Sequence, residues 1–253
     1  MIKAVLFDLG GTLHVASSPA GRAEWFAARL LDRLADYGYK LDVDPGRMAV
    51  VLHDNSEEYK HMTEQSLAEL PQARIWSEYY LKGFGLTVEQ LEPIAEELSF
   101  IYDYERPRVM RRPHLAETMQ RLQNMGIRMG IISNIISTSV VPHFLQEYGI
   151  LQYMECQIMS SVTGIRKPSP EIFRIAEKDM DLSPEELAYV GDTISRDVRG
   201  ARNAGWRLMI QISNPGIAFR DAGLEKSGYL PDYRIEDLAE IPDIIRKENR
   251  EED

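Results

Sequence analysis

The chain holds a single cysteine, Cys156, among its 253 residues. One cysteine excludes an intrachain disulfide and any zinc cluster built on thiolates. Long apolar runs are also missing, and no stretch approaches the roughly 18 residues that cross a bilayer. The apolar opening, Met1 to Phe7, is too short for a secretory leader and runs straight into Asp8. Basic residues are the third shortage. Lys plus Arg number 29 against 40 for Asp plus Glu, a formal net charge of −11. That balance disfavours non-specific binding to nucleic acid or to an anionic membrane surface. The remainder is ordinary for a globular chain, 44% apolar and 27% charged, which excludes wholesale disorder. These features predict a soluble, cytoplasmic protein that partners neither nucleic acid nor membrane, and they leave its oligomeric state open.

Short apolar runs without the alternation of a half-exposed strand mark buried parallel strands. They are Ala4 to Phe7, Met129 to Ile132, Cys156 to Met159, Leu187 to Val190 and Leu208 to Ile212. Between most of them lie helices with start and stop signals. Pro113 opens one that is striped by Leu115, Met119, Leu122 and Met125 and closed by Gly126. Ser169-Pro170-Glu171 supplies an N-cap, a first-turn proline and an acid that suits the helix dipole. Ser183-Pro184-Glu185-Glu186 has capping-box spacing, and a further helix from Asp197 to Ala204 ends at Gly205. Strands alternating with helices predict an α/β fold, a Rossmann-like parallel sheet with helices on both faces.

Residues 15–104 break this rhythm, with helical patterning and no strand pattern. They read as an all-helical cap domain inserted after the first strand. The core is then residues 1–14 and 105–253. The aromatics Trp25, Phe26, Trp76, Tyr79 and Tyr80 are expected in the core of the insertion. The cluster Arg106, Arg108, Arg111 and Arg112 marks the return of the chain to the core; it is expected to be a solvated hinge, the alternative being that it attracts an anionic substrate toward the cleft.

Four short segments sit at the carboxyl ends of expected strands, where α/β sheets place their ligands. They are Asp8-Leu9-Gly10-Gly11-Thr12, Ser133-Asn134, Lys167-Pro168, and Gly191-Asp192 with Asp197 five residues beyond. A carboxylate attacking a phosphoryl group meets like-charge repulsion, so Asp8 as a nucleophile needs positive charge nearby. Mg²⁺ takes carboxylate and carbonyl oxygens, and Asp8, the Gly10 carbonyl and Asp192 could supply them. The Ser133 hydroxyl can donate to a phosphoryl oxygen, and the Lys167 ammonium can sit between that oxygen and the nucleophile.

In order and spacing these segments resemble the motifs of the haloacid dehalogenase-like hydrolases, and the insertion after the first resembles that family's helical cap (its C1 subgroup). The resemblance implies a Mg²⁺-dependent hydrolase, a phosphatase of a small phosphorylated metabolite. Asp8 would be the nucleophile, Ser133, Asn134 and Lys167 would hold the phosphoryl group, and Asp8, Gly10 and Asp192 would hold the metal. Thr12 and Asp197 would support them from behind, Asp197 by orienting Lys167 or a water on the metal. One position departs. The family's phosphatases carry a second aspartate two residues after the nucleophile, as general acid and base, where this chain has Gly10. The carbonyl survives but the acid/base does not, a loss of the order of 10²–10⁴ in rate. His14, just past the loop, is a conceivable substitute. On Gly10 alone, the alternative is a catalytically weakened binding or regulatory module on the same fold. The retained Asp8, Ser133, Lys167 and Asp192 stand against that alternative.

Overall fold

A computed structural model describes residues 1–221, 223–224 and 228–250. The chain opens with strand β1 (Ala4–Phe7) and a short strand β2 (His14–Ser17), then enters a helical stretch: α1 (Arg22–Asp36), α2 (Pro45–Ser66), α3 (Gln72–Arg74), α4 (Val88–Leu91) and α5 (Ala95–Tyr104). Strand β3 (Arg108–Arg111) brings it back to helix α6 (Leu115–Asn124), β4 (Arg128–Ser133), α7 (Val140–Glu147), β5 (Met154–Met159) and α8 (Ser160–Thr163). Helix α9 (Pro170–Met180), β6 (Leu187–Gly191), α10 (Arg199–Ala204), β7 (Leu208–Ile212), β8 (Tyr233–Ile235) and α11 (Ile241–Arg250) complete it.

Six strands form one sheet in the order β5-β4-β1-β6-β7-β8, every neighbouring pair parallel. Side chains alternate across a strand, and β1 shows both destinations. Val5 and Phe7 pack with α6, α7 and α11 on one face. Ala4 and Leu6 pack with α9 and α10 on the other. Helices therefore cover both faces, which is why these strands read as unbroken apolar runs. The chain leaves β1 for β4 on one side and reaches β6 on the other. That reversal opens a crevice at the carboxyl end of β1, the point where open α/β sheets bind ligands.

The expected capping signals are in place. The Ser169 hydroxyl accepts from the Glu171 amide at the start of α9, and Ser183 and Glu186 form a capping box. Leu115, Met119 and Leu122 are buried along α6, and Cys156 is buried in β5.

Three expectations are corrected. The stretch from residue 15 is not all helix, because His14–Ser17 pairs antiparallel with Arg108–Arg111 as a two-stranded ribbon. Its burial is too slight to leave an apolar pattern. Trp25 lies on the surface, 43% exposed, beneath the Arg22 guanidinium, whereas Phe26, Trp76 and Tyr80 are buried. Arg112 is not a solvated hinge residue. Its guanidinium donates to the carbonyls of Gly11 and Ser213 and so ties the returning chain to the first loop.

The helices between β2 and β3 bury their own apolar cluster, built around Phe26, Leu30, Trp76, Tyr80 and Leu98. They are fastened to the sheet by polar contacts. Glu96 accepts from the Ser137 and Ser139 hydroxyls, and Asp103 from the amides of Ile136 and Ser137. Glu69, fully buried, takes Tyr59 from its own side and Ser160 and Arg166 from the other. Among the described residues no helix is long and apolar enough to cross a membrane.

Removing one partner of a buried ion pair leaves an uncompensated charge, at a cost of about 3 kcal/mol. Glu69→Ala is expected to lower unfolding free energy by about that amount, with Glu69→Gln intermediate because it keeps part of the hydrogen bonding. Urea unfolding measures both. A loss under about 0.5 kcal/mol, the level of a surface substitution, would show that the pair does not anchor the helices.

Candidate active site

The site starts from backbone. Asp8 follows β1, its amide donating to the Val190 carbonyl, and Asp192 follows β6. The two loops touch, because Gly11 has φ +87° and a Cβ there would lie 1.7 Å from Asp192 Oδ2. Only glycine permits that backbone and that approach. Gly191 is equally constrained, as its Cβ would fall 2.4 Å from the Asp197 side chain.

Lys167 joins these loops. Its ammonium is 2.8 Å from Asp8 Oδ1 and 2.8 Å from Asp197 Oδ1, and it donates to the Tyr189 hydroxyl at 2.8 Å. Tyr189 in turn donates to the Ile132 carbonyl. Asp197 spends its other oxygen on the Thr193 amide and hydroxyl, at 3.0 and 2.6 Å. The Asn134 side chain closes a reciprocal pair with the Lys167 backbone, Nδ2 to its carbonyl and Oδ1 from its amide. Asp192 Oδ2 accepts from Asn214.

Burial sets the electrostatics. It works against the Lys167 charge, but Asp197 and Asp8 overcome it and hold the ammonium above the ordinary lysine range. Burial likewise opposes the Asp197 charge, and Lys167 with the Thr193 hydrogen bonds holds that carboxyl below its usual value. Asp8 is pushed up to about 6, by burial against the pull of Lys167. Asp192 is pushed up to about 8, by burial and by the charges of Asp197 and Asp8. Oxygens of Asp8, Asp192 and Asp197 lie within 4.8 Å of one another, a crowding that one ammonium only partly neutralises.

The donor set fits a hard cation. Asp197 is spent on Lys167 and Thr193, while Asp8 and Asp192 each keep an oxygen not engaged by Lys167 or Asn214. All-oxygen ligands with no histidine or thiolate among them suit Mg²⁺ over softer metals.

A cleft of about 300 Å³ gathers Asp8, Gly10, Ser133, Asn134, Lys167, Asp192 and Asp197. Every expected site residue lines it except Thr12, which is fully buried in the turn and whose hydroxyl has no partner among the described residues. His14 also lines the cleft, against the stacked rings of Phe144 and Tyr148, with Nδ1 2.9 Å from the Tyr148 hydroxyl. Burial pushes its pKa down to about 4, so it is neutral at pH 7 and a weak base.

Sequence reasoning missed Tyr189, Asn214 and Arg196, all in contact with the cleft or its lysine. Tyr189 looks like one more apolar position of a strand, and Asn214 and Arg196 follow loops with no pattern of their own.

Charged groups thus gather at the carboxyl ends of a parallel sheet in an α/β protein, with a buried lysine between two carboxylates. Residues 2–205 match the model of the haloacid dehalogenase-like hydrolases, and the chain belongs to that family. It is 26% identical over 247 residues to the glyceraldehyde 3-phosphate phosphatase of Methanopyrus kandleri, covering 98% of both chains. It is 26% identical to the ribulose-1,5-bisphosphate 5-phosphatase of Halopiger xanaduensis over 97% of this chain and 100% of that one. The fold is shared with a 2-haloacid dehalogenase from Pseudomonas syringae pv. Tomato, at a TM-score of 0.66 and 24% identity over 98% of this chain and 99% of that one.

The His14 shift carries a sign. A histidine whose folded pKa lies below its unfolded 6.5 adds stability above pH 6.5 that is lost as the pH falls to about 4. The contribution is about 3 kcal/mol. His14→Gln, which keeps a polar partner for Tyr148, is expected to flatten that part of the stability–pH curve. Thermal melts at pH 7 and 4.5 decide it, and an unchanged slope would refute the assignment.

Proposed function

We propose that the protein is a Mg²⁺-dependent phosphatase of a small phosphorylated metabolite, working through an aspartyl-phosphate on Asp8. The observation that carries this reading is the buried Asp8–Lys167–Asp197 chain beside Ser133 and Asp192 in one cleft. Relatives named as phosphatases, aligned over nearly the whole chain, support a small phosphate ester as substrate.

An Asp8 oxygen attacks phosphorus as the bond to the leaving oxygen breaks, and that oxygen takes up a proton from solvent water. Water then attacks the phosphorus of the acyl phosphate, which releases phosphate and restores the Asp8 carboxylate. Lys167, held protonated by its two carboxylates, offsets the charge between nucleophile and phosphoryl oxygens, and the Ser133 hydroxyl donates to another of those oxygens. Asn134 and Asp197 fix where the ammonium points. Mg²⁺, held by Asp8, Asp192 and the Gly10 carbonyl, would supply the remaining positive charge against the phosphoryl group. The helical insertion, residues 15–104, acts as a cap that restricts the cleft to small substrates and excludes water on closure.

Gly10 leaves the leaving oxygen without a carboxylic acid, and His14, with a pKa of about 4, is a poor replacement. Turnover is therefore slow on alkyl esters and faster with good leaving groups. A Cβ on Gly10 would meet nothing within 4 Å, so the backbone there admits a side chain, and Gly10→Asp is expected to restore an acid and base at the cleft.

Hydrolysis of p-nitrophenyl phosphate tests the reading. Mg²⁺-dependent release is expected, abolished in Asp8→Asn. Gly10→Asp is expected to raise kcat on an alkyl phosphate about 10²-fold. Release that survives Asp8→Asn would exclude the nucleophile, and a folded, Mg²⁺-binding Gly10→Asp no faster than the natural chain would exclude the role given to that position. The second reading, a binding module, is favoured by Gly10 alone. Its signature is thermal stabilisation by beryllium fluoride with Mg²⁺ and no turnover of any ester.

A further inference from the structure

The cleft does not end at Asp8. Toward the helical insertion it continues past Asn134 into a smaller cavity of about 190 Å³, and Arg106, Arg196 and Asp103 line both spaces. In a chain of net charge −11, two guanidinium groups facing one cleft call for an explanation.

Their surroundings neutralise them only in part. Arg106 makes no ion pair among the described residues; its guanidinium lies over the Tyr102 ring, 4.2 Å from the centroid. Stacking occupies the face of a guanidinium and leaves its N–H donors in the plane available. Arg196 meets Glu64 at 3.2 Å, but that glutamate is half exposed, and such pairs contribute little. The acids of this region are otherwise engaged. Glu69 is committed to Arg166, Tyr59 and Ser160, and Glu57 to Lys60. One oxygen of Asp103 accepts from the Ile136 and Ser137 amides. Burial pushes the pKa of Asp103 up to about 7, against the pull of the Ser137 amide and of the Arg106 charge, so at neutral pH it offsets only part of that charge.

We propose that Arg106 and Arg196 form a second anion subsite in the same cleft as Asp8, so that the substrate is a phosphate ester bearing a further anionic group, a carboxylate or a second phosphate. Planar guanidinium donors match both anions. The inference rests on the phosphatase reading of Asp8, which supplies the first phosphoryl position. It adds what the cleft recognises at the far end of the substrate. Arg106 lies just past the end of α5, where the chain returns from the helical insertion, and Arg196 lies in the short helical segment Ile194–Val198 that follows Asp192.

Calorimetric titration of the full-length Asp8→Asn protein with Mg²⁺ present tests this apart from turnover. The probes are glycerol phosphate, phosphoglycerate and ribulose bisphosphate, whose remainders are uncharged, a carboxylate and a phosphate. An ester with the right second anion is expected to bind roughly ten- to hundredfold tighter than glycerol phosphate. A gain for phosphoglycerate identifies a carboxylate, and a gain for ribulose bisphosphate a phosphate. Adding Arg106→Gln or Arg196→Gln should erase most of the gain. Both side chains are surface groups of the cleft, and if one variant fails to fold the other carries the test. Equal affinity for all three esters, no binding of any, or a gain that survives both substitutions overturns the subsite. The gain present in Asp8→Asn with no hydrolysis of any ester by the natural chain would instead overturn the phosphatase reading and leave the subsite standing.

Discussion

Everything in the site depends on the placement of one ammonium ion. Lys167 is only 1% exposed at its side chain, and its charge is viable there because Asp8 and Asp197 stand 2.8 Å away on either side. The dependence runs both ways. Without Lys167 the carboxylates of Asp8, Asp192 and Asp197 would crowd within 4.8 Å of one another with no cation of the chain between them. They would then take up protons or unfold the loops that carry them. Three strands and the segments that follow them contribute to holding this one group. Asp8 follows β1, Ile132 and Asn134 belong to β4 and its loop, Tyr189 lies in β6, and Asp197 follows β6 by one turn. A polar network of this kind is rigid, and it fixes the Asp8 carboxylate beside its counter-ion.

The sheet makes the convergence possible. With β1 central and the chain departing to β4 on one side and β6 on the other, the loops after three adjacent parallel strands open at the same edge. Close approach does the rest. Gly11 and Gly191 are present because any side chain there would occupy the space of Asp192 or Asp197. The two glycines thus belong to the chemistry as much as the acids do, though neither presents a functional group.

The sequence was legible where burial was two-sided or where chemistry imposed spacing. The limits of β1 and β7 match their apolar runs to the residue, because a strand covered on both faces has no polar alternation to blur them. The residues that gather in the cleft could be listed because acids, a serine and a lysine stand at the carboxyl ends of expected strands, where the sheet brings them together. What could not be read was structure held by hydrogen bonds and shallow packing. The ribbon of β2 and β3 and the three-residue β8 bury too little to pattern a sequence. Tyr189 hid among apolar neighbours because its ring packs against Phe173 and Trp206 like any core aromatic, and only its hydroxyl reaches the lysine. Arg112 was read with three exposed arginines although its partners, the carbonyls of Gly11 and Ser213, are about a hundred residues distant in sequence.

The helical insertion is attached to the core at the same place that fixes the lysine. Leu67 and Glu69, at the end of α2, exchange backbone hydrogen bonds with Arg166 and Gly164, and the buried Glu69 carboxylate takes the Arg166 guanidinium. Arg166 immediately precedes Lys167. The peptide that carries the ammonium is therefore gripped from two directions, by Asn134 from the core and by the end of α2 from the insertion. Moving the helices away from the sheet requires breaking the Arg166–Glu69 pair one residue from the counter-ion of Asp8. Access to the cleft and the position of its central charge are thus not independent degrees of freedom in this chain. The coupling arises from a short run of backbone pairing that no side-chain pattern announces.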